Sequence, residues 1–310
     1  MIESVHFYNF KVLRGTTLPL ERFTLIVGPN GSGKSTAFQG LQAIGSPENQ
    51  PFRSIASAGA LNKGVTGTEI IVKWGWPYAG AQTRTWWNES GWGQESSLAQ
   101  GVGSAEENQT IRAELGKIRV YSLDSRMIAH PVQLDPNIEL QPDGGHLATV
   151  LDQLRDQDER RFEVLNEALA EWLPEFDRIL FETPSPGSRA FVLRTRREGY
   201  RIKASDLSQG TLLALAILTL AYLPNPPSVV CLEEPDRGIH PRLLRGIQEA
   251  FYRLSYPENY GDQREPVQVI TNPFALLPRS VSQISGRGHH CGESGRRNAF
   301  QTSFRPPLSG

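Results

Sequence analysis

The sequence predicts an α/β fold: a mixed sheet flanked by helices, interrupted by an inserted α+β lobe. Two stretches of strand–helix alternation carry that prediction. Near the start, the compact apolar run "FTLIVG" (23–28) enters a glycine-rich turn, and a helix should begin near Lys34. Towards the other end the order is a helix (208–223), a "PNPP" break, an apolar strand (228–233), a helix from about Pro241 to Tyr252 and the strand "VQVIT" (267–271). Between these stretches strands and helices follow one another without that alternation.

The first segment alternates apolar and polar residues at Ile2, Val5, Phe7, Phe10 and Val12, which reads as a strand, a turn at "RGTT" and a second strand. Residues 44–68, rich in Gly, Pro and Ser, read as loop. "TEIIVKWGWPY" and "TRTWWNESGW" read as paired strands whose Trp74, Trp76, Trp86 and Trp87 pack across the sheet rather than stack on bases. Residues 93–110 read as a polar loop and "KIRVYSL" (117–123) as a strand. Residues 146–173 carry Leu147, Val150, Leu151, Leu154, Phe162, Leu165, Leu169 and Leu173 at helical spacing, with "RDQDERR" as a solvated face. A meander with a turn at "REGY" follows. After residue 277 the apolar periodicity stops, which reads as disorder or an altered reading frame. The expected organisation is therefore 1–45, 46–205 (the inserted lobe), 206–277 and a tail, 278–310.

The chain's 310 residues can bury a sizeable core. Its net charge of −1 excludes a global pull on nucleic acid, so such contact would need a local patch. Two cysteines, Cys231 and Cys291, make neither a disulfide framework nor a zinc site. The start lacks a secretory pattern, and the run "TLLALAILTLAYL" (211–223) is too short to span a bilayer. Together these predict a cytoplasmic protein with no stable membrane insertion.

"GPNGSGKS", Gly28 to Ser35, fits G-x-x-x-x-G-K-[ST] between a buried strand and a helix, the context that motif requires. Its backbone from Gly28, Pro29, Asn30, Gly31, Ser32 and Gly33 to Thr36 would curl around ATP phosphates. The helix start adds amides and dipole. Lys34 would reach the β and γ phosphates, and the Ser35 hydroxyl would ligate Mg²⁺. "DLSQGT" (206–211) opens the apolar helix: Asp206 or Ser208 can cap it, and Gly210 lets a ligand near the backbone. "CLEEPDRGIHP" (231–241) sets Glu233 and Glu234 directly behind an apolar strand, where unpaired carboxylates are costly. Beside a phosphate loop the cost is offset: Glu233 would hold Mg²⁺, and Glu234 would orient and deprotonate the attacking water.

These three elements in order resemble the soluble branch of ABC-type ATPases that includes RecF-like, SMC-like and OLD-like proteins. "EEP" followed by "GIHP", together with "PDGGHLATVLDQL" (142–154), is similar to the AbiEii-toxin-like and OLD-like AAA group. The resemblance covers about residues 1–275 and implies a P-loop NTPase core of the ABC type. It further implies an ATP-dependent head-to-tail homodimer with Ser208, Gln209 and Gly210 facing the partner's γ-phosphate and Asp236 in the segment crossing the interface. DNA or a nuclease or effector protein would be the further partner, in DNA repair or phage defence; the alternative readings are the ATPase subunit of a membrane transporter and a nucleotide-gated binding module deficient in hydrolysis.

The sequence departs from that pattern in three ways. "VITNPF" carries Asn272 and Pro273 but no histidine after the last core strand, and His240 belongs to another motif. No TOPRIM nuclease domain is expected after residue 275. The family's glutamine-loop residue is open among Gln39, Gln42 and Gln133. Arg194, Arg196, Arg197, Arg201 and Lys203 form a basic cluster that either meets phosphates or guards a sheet edge. The tail adds Arg279, Arg287, Arg296, Arg297 and Arg305.

Overall fold

Alternation along one strand organises the fold. In β12 (Val229–Glu233), Val229 and Cys231 enter one hydrophobic core while Val230 and Leu232 enter another. That is the period-2 pattern of a strand covered on both faces. The computed structural model describes residues 1–57, 66–97, 105–135, 138–273 and 300–303.

β12 lies inside a five-stranded sheet of order β14 (Phe300–Ser303), β3 (Phe23–Val27), β13 (Gln268–Asn272), β12, β7 (Ile118–Tyr121). β3, β13, β12 and β7 run parallel, and β14 is antiparallel to β3. A second, antiparallel sheet has the order β2 (Leu13–Pro19), β1 (Ile2–Phe10), β4 (Gly67–Trp74), β5 (Gln82–Asn88), β6 (Gly91–Ser97). Helix α1 (Lys34–Gly45) shares one core with the antiparallel sheet and one face of the parallel sheet. Gly40 brings it close, since a Cβ there would lie 2.4 Å from the Phe7 ring. A short α2 (Phe52–Ile55) and α3 (Ala105–Gly116) flank this half.

The opposite face of the parallel sheet is covered by α7 (Gln209–Tyr222) and α8 (Leu244–Ser255). Every residue of α7 from Thr211 to Tyr222 is buried, as its apolar run demands, and the hydroxyl of buried Thr219 donates to the Leu215 carbonyl within the helix. Outside it lie α4 (Ser125–Ala129), α5 (Leu147–Gln157), α6 (Glu159–Trp172) and a small sheet in which β10 (Ser188–Thr195) pairs with β8 (Val132–Gln133), β9 (Phe176–Glu182) and β11 (Arg201–Lys203). Strands from the 46–205 segment thus enter all three sheets. Gln268 ties the halves together: its Oε1 accepts from the Ile2 amide at 3.0 Å, and its Nε2 donates to the carbonyls of Ile2 (2.7 Å) and Glu21 (3.1 Å).

Several expectations need correcting. The first turn falls at Lys11 and Val12, with Asn9 and Lys11 at positive φ, and "RGTT" lies within β2. The loop expected over 44–68 contains the end of α1, a 3₁₀ turn (Pro47–Asn49) and α2. The loop expected over 93–110 contains most of β6 and the start of α3. The helix expected over 146–173 is two helices, broken where Asp158 accepts from the Arg161 amide and caps α6. Trp74 and Trp87 pack as expected, but Trp76 is 78% exposed. Of the tail 278–310, all but Phe300–Ser303 lies outside the described residues, including the five arginines and Cys291.

Candidate functional site: a phosphate loop beside an acid pair

The loop leaves β3 at Val27 and enters α1 at Lys34. Gly31 and Gly33 take φ values of 77° and 100°, conformations that side chains resist. At Gly33 space is also short, because a Cβ would meet Leu13 Cδ2 at 2.8 Å. The β1–β2 turn therefore packs directly on the loop, and Lys11 Nζ bonds Gln39 of α1 at 2.8 Å. The amides of Gly31, Gly33, Lys34 and Ser35 donate to no protein group among the described residues. Lys34 Nζ arches back to the carbonyls of Gly28 (2.7 Å) and Pro29 (3.1 Å). Free amides at a helix start beside an ammonium suit a polyphosphate. Pro29 and Asn30 are exposed along the loop, and Thr36 is half-buried in the first turn.

Glu233, the last residue of β12, continues the alternation of Val229 and Cys231 onto the α1 face. There its carboxylate neighbours the Ser35 hydroxyl. Burial pushes the Glu233 carboxyl above its ordinary range, the Ser35 hydroxyl pulls it down, and the Glu234 charge pushes it up. Its Oε1 is buried without a partner, as is Ser32 Oγ. An orphaned carboxylate oxygen beside a hydroxyl fits Mg²⁺, which takes few protein ligands and completes its shell with phosphate and water. Among the described residues no cluster of three or more His, Cys, Asp or Glu offers a metal cage instead.

Glu234 breaks the strand with φ at 44°. Its amide donates to the Asn272 carbonyl (3.1 Å) and to Asn272 Oδ1 (3.3 Å). Its carboxylate is partly exposed and pairs with Arg237 at 3.3 Å. Asp236 is only 7% exposed, so the turn presents Arg237, not Asp236, outward.

Ser208, not Asp206, caps α7, its Oγ accepting from the Thr211 amide at 3.1 Å. Gly210 packs against the turn after the acid pair: a Cβ there would lie 3.0 Å from the Gly238 carbonyl. Gly238 faces Gln209 as closely, at 3.1 Å for its own would-be Cβ. The structure thus brings Lys34, Ser35, Glu233 and Glu234 to one end of the parallel sheet. It places Ser208, Gln209 and Gly210 on a helix of the other face. Gln39 is engaged by Lys11, Gln42 is exposed and Gln133 lies on β8 near Gly187, so none bonds Ser35 or Glu233. His240 Nδ1 accepts from the Arg242 amide and caps a short turn. In the basic cluster Arg194 forks onto Asp177 and Arg196 onto the Ala170 carbonyl, while Arg197, Arg201 and Lys203 are exposed. Asn272 and Gln268 are the polar positions whose contacts sequence reading missed. A polar residue inside the apolar "VQVIT" strand was the available signal for Gln268.

Residues 73–271 match the family described as "AAA domain, putative AbiEii toxin, Type IV TA system". The chain belongs to this family. The match takes in β12, the acid pair and α7; the phosphate loop precedes it. No curated protein sequence matches the chain. Among solved structures, the SMC head domain from Thermotoga maritima is similar at 15% identity and a TM-score of 0.48, over 89% of this chain and 90% of that one. The recombination mediator RecF bound to an ATP analogue is similar at 10% and 0.46, over 88% and 92%. RecF with ATP is similar at 10% and 0.45, over 88% and 93%. These likenesses are distant. Among the described residues no helix is long and apolar enough to cross a membrane.

Proposed function

We propose that this AAA-family chain is a cytoplasmic, ATP-hydrolysing switch that pairs head to tail with a second copy on binding ATP. The observation that carries the reading is the orphaned Oε1 of Glu233 beside the Ser35 hydroxyl. The loop 28–36 would bind the phosphates through its free amides and Lys34. Ser35 and Glu233 would hold Mg²⁺, which supplies charge neutralisation on the β and γ phosphate oxygens. Glu234 would orient the attacking water and accept its proton. Residues 208–210 begin on the other face of the sheet from α1, so they would meet the γ-phosphate held by the partner copy. Opening and closing of that pair would act on DNA or on a nuclease or effector protein, in DNA repair or phage defence.

Phosphate release by wild type and Glu234→Gln tests this. Loss of a general base lowers turnover roughly 10²–10⁴-fold. The variant should still bind Mg·ATP and accumulate as a dimer in light scattering. Equal turnover by the two proteins, or none by wild type, overturns the hydrolytic reading, and nucleotide binding alone would then remain. A rate unmoved by DNA removes DNA as the partner.

A further inference from the structure

We infer that Asn272 is the positioning residue for Glu234, fixing the carboxylate through the Glu234 backbone rather than through its side chain. This rests on the role proposed above for Glu234. Asn272 is 1% exposed and stands level with Glu233 in the parallel pairing of β12 with β13. It shares its face with Ile270, which enters the α1-side core. Both of its acceptors converge on one donor, the Glu234 amide, at 3.1 Å from the carbonyl and 3.3 Å from Oδ1.

That convergence answers a conformational problem. Glu234 has φ at 44°, where a residue with a Cβ is uncommon and persists only when its surroundings hold it. A regular strand would send Glu234 to the α7 face, away from Ser35, because neighbouring residues alternate sides. The left-handed turn takes it off that path. It leaves the carboxylate partly exposed at the strand end, next to Glu233. Asn272 is the last residue of β13, and its backbone turns towards β12, as that of Gln268 does towards Ser228. Its Nδ2 donates to nothing among the described residues.

The test is a set of ATP turnover measurements with Asn272→Ala and Asn272→Leu, the second keeping the side-chain shape without its acceptor. Misplacing a catalytic group by about 1 Å costs up to about 100-fold. One of two acceptors is lost here, so kcat should fall about 10-fold, with KM for ATP and direct nucleotide binding within about twofold of wild type. In a Glu234→Gln background the same substitutions should change turnover by less than twofold, because Asn272 acts only through Glu234. Unchanged kcat in both single variants overturns the inference, as does a loss that reappears in full in the Glu234→Gln background. If Glu234→Gln turns over far more slowly than wild type, those outcomes sink the inference alone. If wild type itself does not turn over, the hydrolytic reading fails first and takes the inference with it. Should the alanine variant fail to fold, the leucine variant decides.

Discussion

Replacing Gln268 by methionine should weaken the joint between the two halves without touching the nucleotide site. Gln268 is 2% exposed and makes three hydrogen bonds, two to Ile2 and one to Glu21. Methionine fills a similar volume, so the loss is polar rather than steric. Each bond contributes about 1 kcal/mol net, and leaving the Ile2 amide and carbonyl buried without partners adds about 1–3 kcal/mol. The expected total is about 4–6 kcal/mol, and its lower end sets the minimum shift. With unfolding entropy of about 2.1 cal/mol/K per residue, 310 residues give about 0.65 kcal/mol/K, and the midpoint should fall by at least about 6 °C. Thermal unfolding followed by circular dichroism reads this directly. Gln268→Glu should fall further, since a carboxylate would face two carbonyls. Gln42→Met, at an exposed position of α1, should move little. A Gln268→Met midpoint within about 1 °C of wild type would show that these three bonds do not join the halves.

Gly40→Ala should cost about 1–3 kcal/mol, because its Cβ falls on the buried Phe7 ring, and Phe7→Leu in the same chain should recover part of that loss; an alanine variant as stable as wild type contradicts the close packing. Glu233→Gln should raise the midpoint of the protein free of nucleotide and Mg²⁺ at neutral pH. A carboxyl raised by burial favours the protonated folded state, so the stability it permits is fully present below its unfolded pKa, near about 4.3, and is lost as pH rises through the raised folded value. The glutamine variant should therefore show a flatter melting-point profile above about pH 4, and added Mg·ATP should stabilise wild type more than the variant. A wild type that melts higher than the variant at neutral pH without ligand contradicts this.

The site was legible in the sequence where one residue type does one job in one place. A loop that needs positive φ twice, at Gly31 and Gly33, just before a helix that opens with Lys34 and Ser35 reads as "GPNGSGKS". Two carboxylates behind an apolar strand read as ligands, and the parity of Val229 and Cys231 then fixes which one faces Ser35. Elements whose reason lies on another strand stayed hidden. "GWGQESS" has no alternation of its own, yet it is β6 because β5 pairs with it, and Gly93 makes room for the Trp86 ring. Among its described residues helix α3 shows only Ile111 and Leu115 as buried apolar positions, four apart, too few to announce a helix. The break between α5 and α6 turns on the Asp158 cap, which the continuous leucine spacing conceals. The link from Asn272 to Glu234 spans 38 residues and exists only once β12 and β13 are paired.

The contact between Gly210 and Gly238 is backbone on backbone, with no side chain in between to deform. A joint of that kind has no backlash. Displacement of the first turn of α7 must displace the turn at residues 237–240 by nearly the same amount, because a gap there would open an unfilled void. Arg237 lies in that turn and is bonded to Glu234, so the movement reaches the acid pair within a single turn of chain. The turn that carries the Arg237–Glu234 pair therefore abuts the first turn of α7 directly, with Ile239 of that turn set in the same core as α7.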